Sequence, residues 1–293
     1  MTRIIDSLDE VSGPYDALFV DLWGCLHDGY RAFPEAVSAL ARYRAGGGRV
    51  VLLTNSPRPR PAVVRQLGKI GVPRAVWDEI ASSGDAAQAA MLAGAVGRRV
   101  FHLGPAVDTA FFTDMAEDIA ASGPPVERVA LTEAEGIVCT GLLDDETETP
   151  EDYRATLLYA KNAGMKLLCA NPDIVVDRGT QRIYCAGALA ALYTEMGGES
   201  LYFGKPHPPI YDLARRRLAA LGTAVADARI LCIGDGIATD IRGATGEDMD
   251  SLFISGGLAA EETGTDGQPD PAQLAAYLDA ARMSPDFTIG HLR

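Results

Sequence analysis

Residues 17–29 read ALFVDLWGCLHDG. Ala17, Leu18, Phe19 and Val20 form the short continuous apolar run expected of a strand buried on both faces. That run delivers Asp21 to the strand's end, and Gly24 then allows a turn. Asp21 has two readings: a cap or turn residue, or a nucleophile whose carboxylate attacks phosphorus. Two residues on, where such chemistry would place a second carboxylate, stands Trp23.

Outward from this stretch, strands and helices alternate. RVVLLTNS (49–56), ILCIGDG (230–236) and SLFISGG (251–257) read as further buried strands. FPEAVSALARYRAGGG (33–48) and RPAVVRQLGKIGV (60–72) carry apolar residues at helical spacing. This alternation predicts a parallel sheet covered on both faces. From about 85 to 200 a second alternating set appears: GRRVFHLG, RVALT, GIVCTGL, PEDYRATLLYAKNAGMKLLCANPD and GALAALYTEM. The expected layout is a core made of 1–84 and 201–293, split by an inserted α/β domain over 85–200. The acidic stretch LLDDETETPED (142–152) reads as a solvated loop and helix start, with Thr149-Pro150-Glu151 as a cap signal. SPDFTIGHLR (284–293) reads as a terminal strand and tail.

The 293 residues are 47% hydrophobic and 23% charged, which predicts a substantial packed core. A net charge of -14 argues against a nucleic-acid partner, because no cationic surplus meets a phosphate backbone. It leaves a phosphorylated small molecule open, since a metal ion neutralises such a ligand locally. No apolar run approaches the roughly 18 residues that span a bilayer. MTRIIDSLDEVSGPYD lacks the pattern of a signal peptide, so the expectation is a cytoplasmic protein without membrane partners. Cys25, Cys139, Cys169, Cys185 and Cys232 are odd in number and scattered, which predicts buried thiols rather than disulfides or zinc.

Active sites in parallel sheets lie beyond the carboxyl ends of the strands. Four places qualify. Asp21 is the first. Thr54, Asn55 and Ser56 follow the second strand; their donors suit phosphoryl oxygens, and a cap before Pro57 explains them equally well. Lys205 lies between Gly204 and Pro206, where it is a solvated loop charge or the neutraliser of a nucleophile and a phosphate. Asp235 and Asp240 flank a glycine turn and together suit Mg2+, which takes oxygen ligands; Asp240 also reads as a helix N-terminal residue.

In this order the four motifs resemble the haloacid-dehalogenase-like superfamily of aspartate-nucleophile phosphatases. The resemblance implies a doubly wound Rossmann-like core with an inserted type-two cap. It implies Asp21 as nucleophile, Thr54 or Ser56 as the second motif, Lys205 as the third, and Asp235 with Asp240 as the fourth. DxxGxLxxG stands here as Asp21, Gly24, Leu26 and Gly29. With CANPDIVV (169–176), Gly187-Ala188-Leu189 and GKP, the chain is similar to subclass IIA, the NagD-type and p-nitrophenyl phosphatases. That similarity implies that the loop of Asn171, Pro172 and Asp173 faces the substrate. Capping of an Asx turn is its other reading. Arg58 and Arg60 read as a solvated helix entry, with a substrate clamp as the alternative. A homodimer is implied only by analogy with the subclass.

Phosphatases of this superfamily open with Asp-x-Asp, and the second Asp moves the proton. Trp23 cannot: its indole N–H donates and does not titrate. Its carbonyl remains, and the family uses that carbonyl as a metal ligand. The expectation is therefore an Mg2+-dependent hydrolase of a small phosphate monoester, with Asp21, the Trp23 carbonyl, Asp235 and Asp240 at the metal. Two alternatives stand beside it, a non-catalytic binder of phosphorylated ligands and a dehalogenase-like chemistry. His27 and Asp28 lie near enough in sequence to replace the lost relay; they also read as turn residues of a small hairpin flap.

Overall fold

The computed structural model describes residues 2–178, 181–222 and 224–293. Its first strands are β1 (Arg3–Ile4), β2 (Ala17–Val20), β3 (Arg49–Thr54), β4 (Glu79–Ser82) and β5 (Arg99–Leu103). There follow β6 (Glu127–Arg128), β7 (Gly136–Cys139), β8 (Lys166–Cys169), β9 (Val175–Arg178), β10 (Gln181–Tyr184) and β11 (Glu199–Tyr202). The last are β12 (Ile230–Gly234), β13 (Asp250–Ile254) and β14 (Phe287–Ile289). No helix among the described residues is long and apolar enough to cross a membrane.

One sheet has seven strands in the order β1-β14-β13-β12-β2-β3-β4. Pairing from β1 through β3 is parallel. The chain steps from β2 to β3 and β4 on one side, then resumes at β12 and steps to β13 and β14 on the other. Strand order therefore reverses between β2 and β12, and a doubly wound sheet opens a crevice at such a reversal. Val20 pairs with Ile233, so the two strands end almost level. Every residue of both strands is buried, as their continuous apolar runs require.

The chain divides into two compact units. The first comprises Met1–Thr54, Gln66–Ala81 and Tyr211–Arg293; the second comprises Asn55–Arg65 and Ser82–Ile210. The second unit thus takes in 55–65, 82–84 and 201–210, which the sequence reading assigned to the core. Its own bonds explain this, since Asn55 reaches Asp173 and Lys205, and the Arg60 N–H reaches Asp85. The second unit holds a parallel sheet ordered β11-β8-β7-β5-β6 and a separate antiparallel β9–β10 pair. Leu157 and the Leu189–Tyr193 face of its helices pack on Ile137, Leu167 and Cys169. All five cysteines are buried and unbridged.

In the first unit, buried Asp78 ties the helix Pro34–Ala45 to β3. Its carboxylate accepts from Arg44 Nη2 at 2.6 Å and from the Val50 N–H at 2.8 Å. Burial alone would raise its pKa; Arg44 and the Val50 N–H outweigh burial and hold it below the ordinary carboxylate value. Asp78 therefore stabilises the fold above that value, and the contribution fades as pH falls through the lowered pKa. Asp78→Ala should cost about 3 kcal/mol, because it removes the carboxylate from a largely buried guanidinium and from the Val50 N–H together. Thermal unfolding checks this: the gap between wild type and variant is full at pH 7 and closes below about pH 4.

Candidate active site

Asp21 and Asp235 cap β2 and β12 at the point where strand order reverses, and both are buried. The Asp21 N–H donates to the Ile233 carbonyl at 2.8 Å, which extends the strand pairing into the site. Asp235 is gripped by backbone. The Leu258 N–H donates to its Oδ2 at 3.0 Å. A Cβ on Gly24 or on Gly257 would fall 2.1 Å from that same oxygen, so only glycine fits at either position. Gly24 also sits at φ +76°, a conformation that glycine adopts without strain.

Asp21, Cys25 and Asp235 each bring one ligand atom within 4.8 Å of the others. Two buried carboxylates converging behind a glycine cradle fit a hard divalent cation, which takes oxygen ligands. Cys25 is the neighbour that sequence reading left among the buried thiols. The signal available was its place four residues after Asp21, in the turn that Gly24 starts. Asp240 is buried but stands outside this group. Its Oδ2 accepts from the Gly236 N–H at 3.1 Å and lies 3.3 Å from Thr239 Oγ1. A Cβ on Gly234 would meet its carboxyl carbon at 2.0 Å. Asp240 thus holds the turn that carries Asp235, at the start of the π-helical turn Ile237–Ile241.

The flap after Gly24 is a tight hairpin. The Asp28 N–H donates to Arg31 O, and His27 bridges Ala32. The turn residues are Gly29 and Tyr30, one position later than the Asp28-Gly29 signal suggested. Asp28 is committed to this turn, accepting from the Tyr30 and Arg31 N–H groups and pairing with the Arg31 guanidinium. His27 Nδ1 accepts from the Gly29 N–H at 3.0 Å, which leaves the proton on Nε2. Burial pushes its pKa down to about 4, so the ring is neutral at pH 7. The Trp23 ring meets it edge-on at 5.4 Å between centroids. The indole also lies over Gly29, where a Cβ would come 2.6 Å from Cζ2. Trp23, His27 and Gly29 form one packed unit of the flap.

Thr54 ends β3 and is buried in the first unit. Asn55 and Ser56 continue the chain into the second. Ser56 Oγ accepts from the Arg58 N–H at 3.2 Å, which makes an ST turn of the loop. Asn55 was read as a phosphate contact, and the structure gives its amide other partners. Nδ2 donates to Asp173 Oδ1 at 2.7 Å and to the Lys205 carbonyl at 3.1 Å. Oδ1 accepts from the Lys205 N–H at 2.7 Å. Lys205 is 2% exposed, which rules out the solvated-loop reading. Asn171 Oδ1 accepts from the Asp173 N–H at 3.0 Å, the expected Asx turn. Gly187 lets a helix start beneath this loop: a Cβ there would lie 2.2 Å from the Pro172 carbonyl.

A further polar cluster stands at the ends of β5 and β7, and sequence reading did not foresee it. Arg58 lies 3.9 Å from Asp108, and His102 Nε2 is 2.9 Å from Thr140 Oγ1. Burial raises the Asp108 pKa against the opposing pull of Arg58 and Thr140. Arg58 is therefore paired rather than simply solvated.

The chain is similar to known hydrolases. A model of haloacid dehalogenase-like hydrolases matches residues 18–116, and a HAD-hydrolase-like model matches 202–281. A haloacid dehalogenase-like family hydrolase from Brucella suis 1330 is 41% identical. Its structure superposes with a TM-score of 0.85, covering 99% of this chain and 100% of that one. The 5'-nucleotidase YutF of Bacillus subtilis (strain 168) is 25% identical, over 88% of this chain and 93% of its own. Glycerol phosphate phosphatase Rv1692 from Mycobacterium tuberculosis, solved in complex with calcium, is 26% identical with a TM-score of 0.63. That match covers 84% of this chain and 68% of that one, and the same phosphatase has been solved with magnesium.

Proposed function

The chain belongs to the haloacid dehalogenase-like hydrolases, and from that premise we propose that it hydrolyses a small phosphate monoester, a sugar phosphate or a nucleotide, through an aspartyl-phosphate. The observation that carries this reading is the buried Asp21–Asp235 pair at the reversal of strand order. The relatives support the substrate class: one is a 5'-nucleotidase and another a glycerol phosphate phosphatase.

In this reading Asp21 attacks phosphorus, the ester P–O bond breaks, and the leaving oxygen departs as its alcohol. Water then attacks the same phosphorus, the bond to Asp21 breaks, and phosphate leaves. Thr54 and Ser56 hold phosphoryl oxygens, Lys205 neutralises the gathered negative charge, and the Asn171–Asp173 loop meets the rest of the substrate. Mg2+ bound by Asp21, Asp235 and the Trp23 carbonyl would supply electrostatic stabilisation of the phosphoryl group. Asp240 assists by fixing the turn that presents Asp235.

Trp23 leaves both steps without the carboxyl group that the position two residues after the nucleophile would supply, and the acceptor nitrogen of His27 and the carboxylate of Asp28 are engaged within the flap. The leaving oxygen must then take its proton from solvent or from the substrate itself. Turnover should accordingly depend steeply on leaving-group basicity, with p-nitrophenyl phosphate faster than an alkyl phosphate such as glycerol phosphate. Phosphate release from a panel of monoesters, with Mg2+ and with chelator, tests the whole reading. Metal-dependent release ordered by leaving group supports it. No release from any member sinks it, and favours the second reading that the absent relay suggests, a non-catalytic binder of phosphorylated ligands.

A further inference from the structure

We propose that Asn55 is a positioning residue for Lys205 and does not itself contact the phosphate. This rests on the proposed role of Lys205. An asparagine amide has two N–H donors and one carbonyl acceptor. Both donors of Asn55 are used, one on Asp173 Oδ1 at 2.7 Å and one on the Lys205 carbonyl at 3.1 Å. The acceptor takes the Lys205 N–H at 2.7 Å. The orientation of the amide is therefore fixed by its partners, since two acceptors face Nδ2 and a donor faces Oδ1. To donate to a phosphoryl oxygen, Asn55 would have to abandon one of these bonds.

The geometry also says what the bonds accomplish. Asn55 grips the N–H and the C=O of one and the same residue, as a neighbouring strand would. That fixes the backbone of Lys205 and with it the direction of its Cα–Cβ bond. The residue before Lys205 is pressed onto the same side chain: a Cβ on Gly204 would fall 2.5 Å from Asn55 Oδ1, 2.6 Å from Ser83 Oγ and 2.7 Å from Pro172 Cδ. Asn55 is itself 3% exposed, so water does not replace these partners in the folded chain. Asp173 completes the arrangement by tying the 171–173 loop to the same amide. A lysine held this way is aimed before substrate arrives. A misplacement of about 1 Å in a catalytic group costs on the order of 10²-fold in rate.

The test is a double-mutant cycle on phosphate release, using wild type, Asn55→Ala, Lys205→Ala and the double variant, with p-nitrophenyl phosphate and Mg2+. Asn55→Ala should lower kcat about 10²-fold. The double variant should be no slower than Lys205→Ala alone, because Asn55 has nothing left to position. If the two losses multiply instead, Asn55 acts on the substrate independently and the proposal is overturned. A second measurement does not depend on phosphatase activity. Amine-reactive labelling of the folded protein, read by peptide mass spectrometry, should modify Lys205 several-fold faster in Asn55→Ala and in Asn55→Ser than in wild type. Unchanged labelling in both variants, with unfolding temperatures near wild type, also overturns it. Should wild type release no phosphate, the proposed function fails while the labelling still decides the role of Asn55.

Discussion

Asp21→Asn should abolish phosphate release, by about 10⁴-fold or more in kcat at saturating substrate and Mg2+. The amide has the shape of the carboxylate but is neutral, and its oxygen is too weak a nucleophile to attack phosphorus. Its backbone N–H keeps the bond to Ile233, so the end of β2 stays in place. The rate loss should therefore come without a matching loss of stability, and unfolding temperature checks that arm. Undiminished turnover in this variant would rule out the aspartyl-phosphate mechanism for this chain.

Trp23→Asp should have the opposite sign. A carboxyl group two residues after the nucleophile can protonate the leaving oxygen and then activate water, and help of this kind is worth about 10²–10⁴-fold. The gain should be largest for alkyl phosphates, whose leaving groups most need a proton, and small for p-nitrophenyl phosphate. The change also removes an indole that packs on Gly29 and His27. Large-to-small changes in a full core cost about 3–5 kcal/mol. Trp23 is only partly buried, so the flap should lose less than that. Trp23→Ala separates the two effects, because it opens the same space and adds no acid. A gain in Trp23→Ala equal to that in Trp23→Asp would mean that steric access, and not the proton, limits the wild type. No gain in a folded Trp23→Asp would place the proton source elsewhere.

The seven-stranded core was legible because its central strands are continuous apolar runs, as burial on both faces demands. Residues 17–20, 50–53, 230–234 and 252–254 show this directly. β4 hid because its last residue, Ser82, caps the helix Ser83–Leu92, leaving few residues to announce a strand. β10 and β11 hid because polar and exposed residues interrupt them, and β9 because two of its four residues, Asp177 and Arg178, are charged. The acids at strand ends were equally visible in sequence, since position alone marks them. What Asn55 does was not visible, because its partner lies 150 residues away. An amide that can hold a phosphate can equally hold a peptide group, and only the fold chooses between them. The approach of Cys25 to Asp235 was likewise found by packing, although its place four residues after Asp21 was in view.

The pairing of Ala17 with Ile230 has a consequence for how the protein is made. A ribosome delivers the chain from its N-terminus, so β2 emerges long before the strand that covers one of its edges. All five strands of the second unit's larger sheet are synthesised before β12 appears. That sheet can therefore mature while the first unit is still half complete, with an apolar edge open to other chains. The long-range closure that brings Asp21 beside Asp235 is the late and slow event. A chain released after truncation between residues 211 and 229 should then have an inserted unit that resists proteolysis while β2 and β3 are cut.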